Sequence, residues 1–157
     1  MIDDNNDDIE YYKRLLKQSS YYRFIFFEAD CAEAGLGMFN THQPDCILLD
    51  YNMPDFDGLE FLEILEDQQE KKGLPMPVIV MLTGEGTQAT AVEAMKRGVQ
   101  DYLVKSEISS EVFNRAVTNA VEKKRLQIRL EDKEKEFKQF SYAASHDLQA
   151  PLRRIGQ

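Results

Sequence analysis

One stretch limits what this chain can fold into more than any other: Pro44 to Gly58, reading P-D-C-I-L-L-D-Y-N-M-P-D-F-D-G. Cys46, Ile47, Leu48 and Leu49 form an unbroken apolar run, which suits a strand buried on both faces of a parallel sheet. The run stops at Asp50. In open parallel α/β sheets the carboxyl end of a strand is where ligands bind, so Asp50 is expected to face a crevice. Met53-Pro54 and Asp57-Gly58 then turn the chain into a following helix. Taken alone, Asp50 reads as a strand or turn cap, and the residues around it decide otherwise.

Ile2-Asp3-Asp4-Asn5 opens the chain with a pair of carboxylates. Asp7 and Asp8 supply acid to the start of a helix with Ile9, Tyr12, Leu15 and Leu16 at helical spacing. Phe24 to Phe27 reads as a short second strand, and Cys31 to Phe39 as a helix. After the strand ending at Asp50 comes a helix with Leu59, Phe61, Leu62, Ile64 and Leu65. Val78 to Leu82 is another buried strand, ending at Thr83-Gly84. Ala91, Val92, Ala94 and Met95 lie in the next helix, stopped by Gly98, and Tyr102 to Val104 is a last short strand ending at Lys105. Strands alternating with helices imply βαβ units and a parallel sheet covered on both faces. Asp50, Thr83 and Lys105 fall at the same end of strands running the same way, so they converge, and Asp3 and Asp4 join them.

Carboxylates about 4 to 5 Å apart repel by roughly 4 kcal/mol per pair at an effective dielectric near 20, so a cation is expected among them. Hard oxygen donors with room for water suit Mg²⁺ or Mn²⁺. A metal that neutralises Asp50 and grips a phosphoryl oxygen lets that carboxylate attack phosphorus in line. Lys105 and the Thr83 hydroxyl can take the other phosphoryl oxygens.

These residues, together with A-M-K-R-G-V-Q-D-Y-L-V-K from Ala94 to Lys105, make the chain from Ile2 to about Asn119 resemble the receiver domain of two-component response regulators. The resemblance implies a flavodoxin-like doubly wound sheet with Asp50 as phosphoacceptor. It implies Mg²⁺ held by Asp3, Asp4, Asp50 and the Asn52 carbonyl, with Thr83 and Lys105 binding the phosphoryl group and Tyr102 as the switch aromatic; read without it, Tyr102 is a half-buried strand aromatic. Asn52 and Glu85 stand where the family tunes dephosphorylation. One departure is plain: two residues precede the acid pair, where a strand takes about 5 to 6. The first strand is thus truncated or missing, and the natural chain is expected to begin upstream.

From Ser109 the chain has no glycine or proline until Pro151, so the last receiver helix is expected to continue as one long rod. Leu126, Leu130, Lys133, Phe137, Phe140 and Ala144 alternate steps of four and three, a coiled-coil seam weakened at Lys133 that implies a parallel partner and a homodimer. The plain alternative is a lone solvated helix. Phe140 to Ile155, F-S-Y-A-A-S-H-D-L-Q-A-P-L-R-R-I, then resembles the phosphoacceptor box of histidine kinase dimerisation domains. By that resemblance His146 is the autophosphorylated histidine, Asp147 the acid beside it, and Pro151 the helix kink one turn on. Ala150 stands where kinases with phosphatase activity carry Thr or Asn.

The domains so read are a receiver over 1–119, a coiled-coil signalling helix over 120–139 and the start of a dimerisation domain over 140–157. The whole reads as part of a hybrid histidine kinase whose ATP-binding domain lies outside the chain, so its own enzyme status stays open. The expected donor is an upstream histidine kinase or phosphotransfer protein. Composition narrows the partners. Residues 1–108 carry 21 acidic and 9 basic side chains and residues 109–157 carry 7 and 10, and so acidic a first part argues against nucleic acid. No apolar run approaches membrane-spanning length and no signal sequence opens the chain, which reads as cytoplasmic. Two rivals remain: a receiver fold used only for docking and never phosphorylated, and a haloacid-dehalogenase-like phosphatase. The second places another aspartate two residues after its nucleophile, where this chain has Asn52.

Overall fold

The apolar runs become the strands of one parallel sheet. In the computed structural model, which describes residues 1–18, 22–85 and 87–155 and side chains through residue 149, these are β1 (Cys46–Asp50), β2 (Val78–Thr83) and β3 (Asp101–Val104), in that order across the sheet. Asp50 is level with Leu82, and Thr83 with Val104. The register thus brings Asp50, Thr83 and Lys105 to one edge of the sheet. Ile2 continues the sheet beyond β1, bridging in parallel to Leu49 on one side and to Ala29 on the other.

Side chains alternate across the sheet, and each face finds its own helices. Ile47, Leu49, Ile79 and Met81 pack with α2 (Ala32–His42), α3 (Gly58–Lys72) and Ala94 of α4 (Gln88–Lys96). Leu48, Val78, Val80 and Leu82 pack with Tyr12, Leu15 and Leu16 of α1 (Asn6–Lys17) and with Phe113, Val117 and Ala120 of α5 (Ser110–Ile155). This is the doubly wound, flavodoxin-like arrangement. Local chemistry sets the helix ends. Asp57 and Glu60 close a reciprocal capping box on α3, and Gly73, at φ +64°, ends it in the left-handed region. Gly98, at φ +86°, does the same work after α4.

The expected strand at Phe24 to Phe27 is not formed: those residues have no ladder, and the bridge falls instead on Ala29. A strand needs a neighbour whose N–H and C=O groups face it. Here only Met1 to Asp3 fill the slot between that segment and β1, through bonds from Ala29 N–H to Met1 O at 2.9 Å and from Asp3 N–H to Ala29 O at 3.0 Å. The Met1 ammonium adds a bond to Phe27 O at 2.6 Å.

Two compact units follow one another along the chain, residues 1–121 and 122–157. α5 is helical through both and its run includes Pro151. In the second unit Leu126, Leu130, Phe137 and Phe140 are exposed, the last two by 70 % each. No helix among the described residues is long and apolar enough to cross a membrane.

Gly35 of α2 faces Ile2 so closely that an added Cβ would run into Ile2 Cδ1 and come within 2.9 Å of Cγ1. Alanine normally favours a helix over glycine by about 1 kcal/mol. Gly35→Ala should nevertheless lower the melting temperature, since overpacking costs about 1–3 kcal/mol. Ile2→Val in the same chain should recover part of the loss, and a Gly35→Ala protein as stable as the parent would show that Ile2 is free to move.

Candidate functional site

Two residues at the amino end are held tightly enough to place an acid pair beside Asp50. Ile2 N–H donates to Leu48 O at 2.9 Å and Asp50 N–H donates to Ile2 O at 2.8 Å. Together with the bonds to Ala29, these tie the backbone before Asp3 to both neighbours. Asp3 is buried, and its Oδ1 accepts from Asn5 N–H at 2.9 Å. Asn5 caps α1 in turn, its side chain accepting from Asp7 N–H. Asp4 is exposed at the pocket mouth. One carboxylate oxygen from each of Asp3, Asp4 and Asp50 lies within 4.8 Å of the others. The donor set is hard oxygen throughout, and it fits a small divalent cation of the Mg²⁺ kind.

Asp50, 3 % exposed, ends β1. The loop beyond it is drawn in by Tyr51 N–H to Leu82 O and Gly58 N–H to Tyr51 O, both 2.8 Å. Space is tight at Gly58, where a Cβ would sit 3.1 Å from Met81 Cε and Tyr51 Cα and 3.2 Å from Asp50 O. Burial is the main reason the Asp50 carboxyl is pushed up to about 6; Lys105 works against the rise, and the charges of Asp3 and Asp4 add to it. Lys105 Nζ meets Asp3 Oδ2, Asp8 Oδ2 and Asp50 Oδ1, each at 2.8 Å. The Asp50 contact is an ion pair only, for its Oδ1 has no hydrogen-bond donor. Burial pulls the Lys105 pKa down, but the carboxylates of Asp3, Asp50 and Asp8 outweigh it and hold the ammonium well above the usual lysine range.

Thr83 is fully buried at the end of β2, its Oγ1 without a hydrogen-bond partner, and the Tyr102 hydroxyl is likewise buried and unpartnered. Unpaired buried hydroxyls carry a penalty of about 1–3 kcal/mol each. Asn52 and Glu85 lie exposed in the loops after β1 and β2. The second unit holds His146 and Asp147, both exposed, with Nδ1 and Oδ1 3.8 Å apart; the side chain of Ala150 lies outside those described.

Two residues escaped the sequence reading. Asp8 was only a helix-start acid, yet it binds Lys105. The available signal was its place four residues before buried Tyr12, at the head of the inward face of α1. Asp55 caps another helix across the fold: its Oδ1 and Oδ2 accept from Ala32 N–H at 3.0 Å and Glu33 N–H at 2.8 Å. Burial works against the Asp55 charge, but these backbone donors prevail and keep its carboxyl below the usual range.

An acid bound more tightly to its proton in the folded chain stabilises the fold at low pH and loses that contribution as pH rises. For Asp50 the loss runs from about 4, the unfolded value, up through about 6. In metal-free buffer Asp50→Asn should therefore raise the melting temperature at pH 8, by at most about 3 kcal/mol in stability, and make little difference at pH 4. Lys105 keeps Asp3 and Asp8 in the variant. A melting temperature unchanged or lowered at pH 8 would contradict the burial argument.

A protein-family comparison matches residues 1–118 to the response regulator receiver domain. The photosynthetic apparatus regulatory protein RegA of Cereibacter sphaeroides is 34% identical over 107 residues, covering 68% of this chain and 55% of that protein. Regulatory protein LuxO of Vibrio cholerae is 33% identical over 114 residues, 72% of this chain and 24% of LuxO. The chain thus spans about half of one relative and a quarter of the other. Among solved structures, a response regulator receiver domain protein from Clostridium thermocellum superposes with a TM-score of 0.67 at 26% identity, covering 80% of this chain and 94% of that one. The receiver domain of NtrX from Brucella abortus gives 0.65 at 24% identity, over 77% and 95%, and speaks to the fold alone.

Proposed function

Because the chain belongs to the response regulator receiver family, whose members are phosphorylated on aspartate in two-component signalling, we propose that Asp50 is the aspartate that takes the phosphoryl group. The observation that carries this reading is the meeting of Asp3, Asp4, Asp50 and Lys105 at one sheet edge beside the unpartnered Thr83 hydroxyl. The donor is a phosphohistidine on an upstream histidine kinase or phosphotransfer protein. An Asp50 carboxylate oxygen attacks phosphorus as the bond from phosphorus to the imidazole nitrogen breaks, and the electron pair of that bond leaves with the imidazole. Asp3, Asp4, Asp50 and the Asn52 carbonyl would hold Mg²⁺, which would neutralise charge on the phosphoryl oxygens. Lys105 gives up its contact with Asp50 and binds one of those oxygens, and Thr83 Oγ1 donates to another. Tyr102 then has a partner to reorient toward, in the manner of switches driven by a local change of charge.

The attached part is read as the start of a histidine kinase dimerisation domain, with His146 as its phosphoacceptor and Asp147 beside it. That reading rests on the string from Phe140 to Ile155, beyond the family match. In it, phosphorylation of Asp50 acts through α5 on kinase output, and a second copy of the chain covers the seam of Leu126, Leu130, Phe137 and Phe140.

Treated with acetyl phosphate and Mg²⁺, the purified chain should gain one phosphoryl group by mass spectrometry. EDTA or Asp50→Asn should abolish the gain. A folded chain that gains nothing would favour a docking module that is never phosphorylated. Sedimentation equilibrium tests the seam separately: the parent chain should be a dimer, and Leu130→Glu with Phe137→Glu should yield a monomer of unchanged receiver fold. A monomeric parent at tens of micromolar would leave α5 a lone solvated helix.

A further inference from the structure

Lys105 has one more partner than phosphoryl binding at Asp50 calls for. Its ammonium donates to Asp3 Oδ2 and Asp8 Oδ2 and forms an ion pair with Asp50 Oδ1, each at 2.8 Å; Asp3 and Asp50 belong to the group able to share a divalent cation, and Asp8 does not. The ammonium thus lies on the carboxylates of two of the three residues able to share a divalent cation. An ammonium and a divalent cation drawn to the same carboxylates repel each other at close range. A lysine expelled from them with nowhere to go would leave a half-buried charge unpaired, which is strongly unfavourable.

Asp8 removes that difficulty. It projects from the first turn of α1, side chain 31 % exposed, and already holds Lys105 at 2.8 Å. We propose that Asp8 is a seat for the Lys105 ammonium outside the cation-binding group, onto which Lys105 withdraws from Asp3 and Asp50 as a divalent cation binds. Seated there, the ammonium stays paired and remains at the mouth of the pocket, within reach of a phosphoryl group on Asp50. Asp8 is thus a positioning residue, acting on the pocket through Lys105. It touches neither the metal nor the reacting oxygen. This rests on the reading of the pocket as a Mg²⁺-dependent phosphoacceptor.

The plainer role for Asp8 is that of an acid stabilising the amino end of α1. A second plain role is that of a distant negative charge attracting the metal directly. Calorimetric titration of the full chain with MgCl₂ separates all three through a double-mutant cycle with Lys105. If Asp8 acts through Lys105, Asp8→Asn raises the Kd for Mg²⁺ about five- to tenfold, Asp8→Glu stays within about twofold of the parent, and in a Lys105→Met chain Asp8→Asn changes the Kd by less than about twofold. A helix-end role moves the melting temperature and leaves the Kd alone, which overturns the proposal. A direct charge effect persists undiminished in the Lys105→Met chain and overturns it equally. Circular dichroism checks that each variant is folded, and Asp8→Glu carries the test should Asn disturb α1: a Kd for Mg²⁺ more than about twofold from the parent's in that folded variant would refute the seat. A parent chain that binds no Mg²⁺ overturns the phosphoacceptor reading and this inference with it, whereas a parent that binds Mg²⁺ with an affinity indifferent to Asp8 overturns the inference alone.

Discussion

Everything at this sheet edge follows from burying the carboxylate of Asp50 at the end of a strand that is apolar on both faces. Taking an ion out of water is costly, and the penalty is met only when an opposite charge stands close with good geometry. Lys105 provides that charge here, and the surroundings keep it in place: Asp3 and Asp8 hold the ammonium from the α1 side. The balance is incomplete. Asp50 Oδ1 has an ion-pair partner and no hydrogen bond, and its carboxyl still stands at about 6. A pocket left in that condition favours the arrival of further positive charge, and of a group that can use the idle hydroxyls of Thr83 and Tyr102.

The rigid parts of the fold serve this edge. Parallel register sets Asp50, Thr83 and Lys105 at one level without any special loop, because each residue simply follows the last apolar position of its strand. The acid pair is harder to place, since a single bridging residue carries it. Ile2 manages by giving its N–H to Leu48 and its carbonyl to the N–H of Asp50 itself. The backbone that positions Asp3 and Asp4 is therefore bonded directly to that of Asp50. Asp55 adds a second tie, pinning the loop after β1 to the start of α2, where Cys31 offers no side-chain cap of its own.

These arrangements differ in how far they could be read from residues alone. Asp50, Thr83 and Lys105 were legible because an abrupt change from apolar to polar marks a strand end. Asp3 and Asp4 were legible because paired acids outside a helix have few other uses. The segment Phe24 to Phe27 misled for an intelligible reason: its side chains suit an extended chain, but a ladder depends on the neighbour, and Met1 to Asp3 bond to it only at Phe27 and Ala29. Asp8 and Asp55 were invisible for the opposite reason. Each looks like ordinary local chemistry, a helix-start acid and a turn residue, and each finds its partner far along the chain, Asp8 at Lys105 and Asp55 at Ala32 and Glu33. For Asp8 the one local sign is its place four residues before buried Tyr12, and Asp55 carries none. The idle hydroxyls of Thr83 and Tyr102 are equally unreadable, because the absence of a bond is a property of the packed state.

Lys105 also links the pocket to the rest of the fold. It ends β3 and begins the short 3₁₀ turn Lys105–Glu107, and α5 starts at Ser110. Few bonds separate the pocket cation from the first turn of α5. That turn is closely held: Phe113 stacks on Tyr12 with ring centroids 5.1 Å apart, and the Asn114 side chain donates to Leu15 O at 3.0 Å. Tyr12 lies one turn beyond Asp8 on the same face of α1. Lys105 is thus joined to α5 by two routes, through the 3₁₀ turn along the chain and through α1 by way of Asp8 and Tyr12, and both run through closely packed parts of the fold.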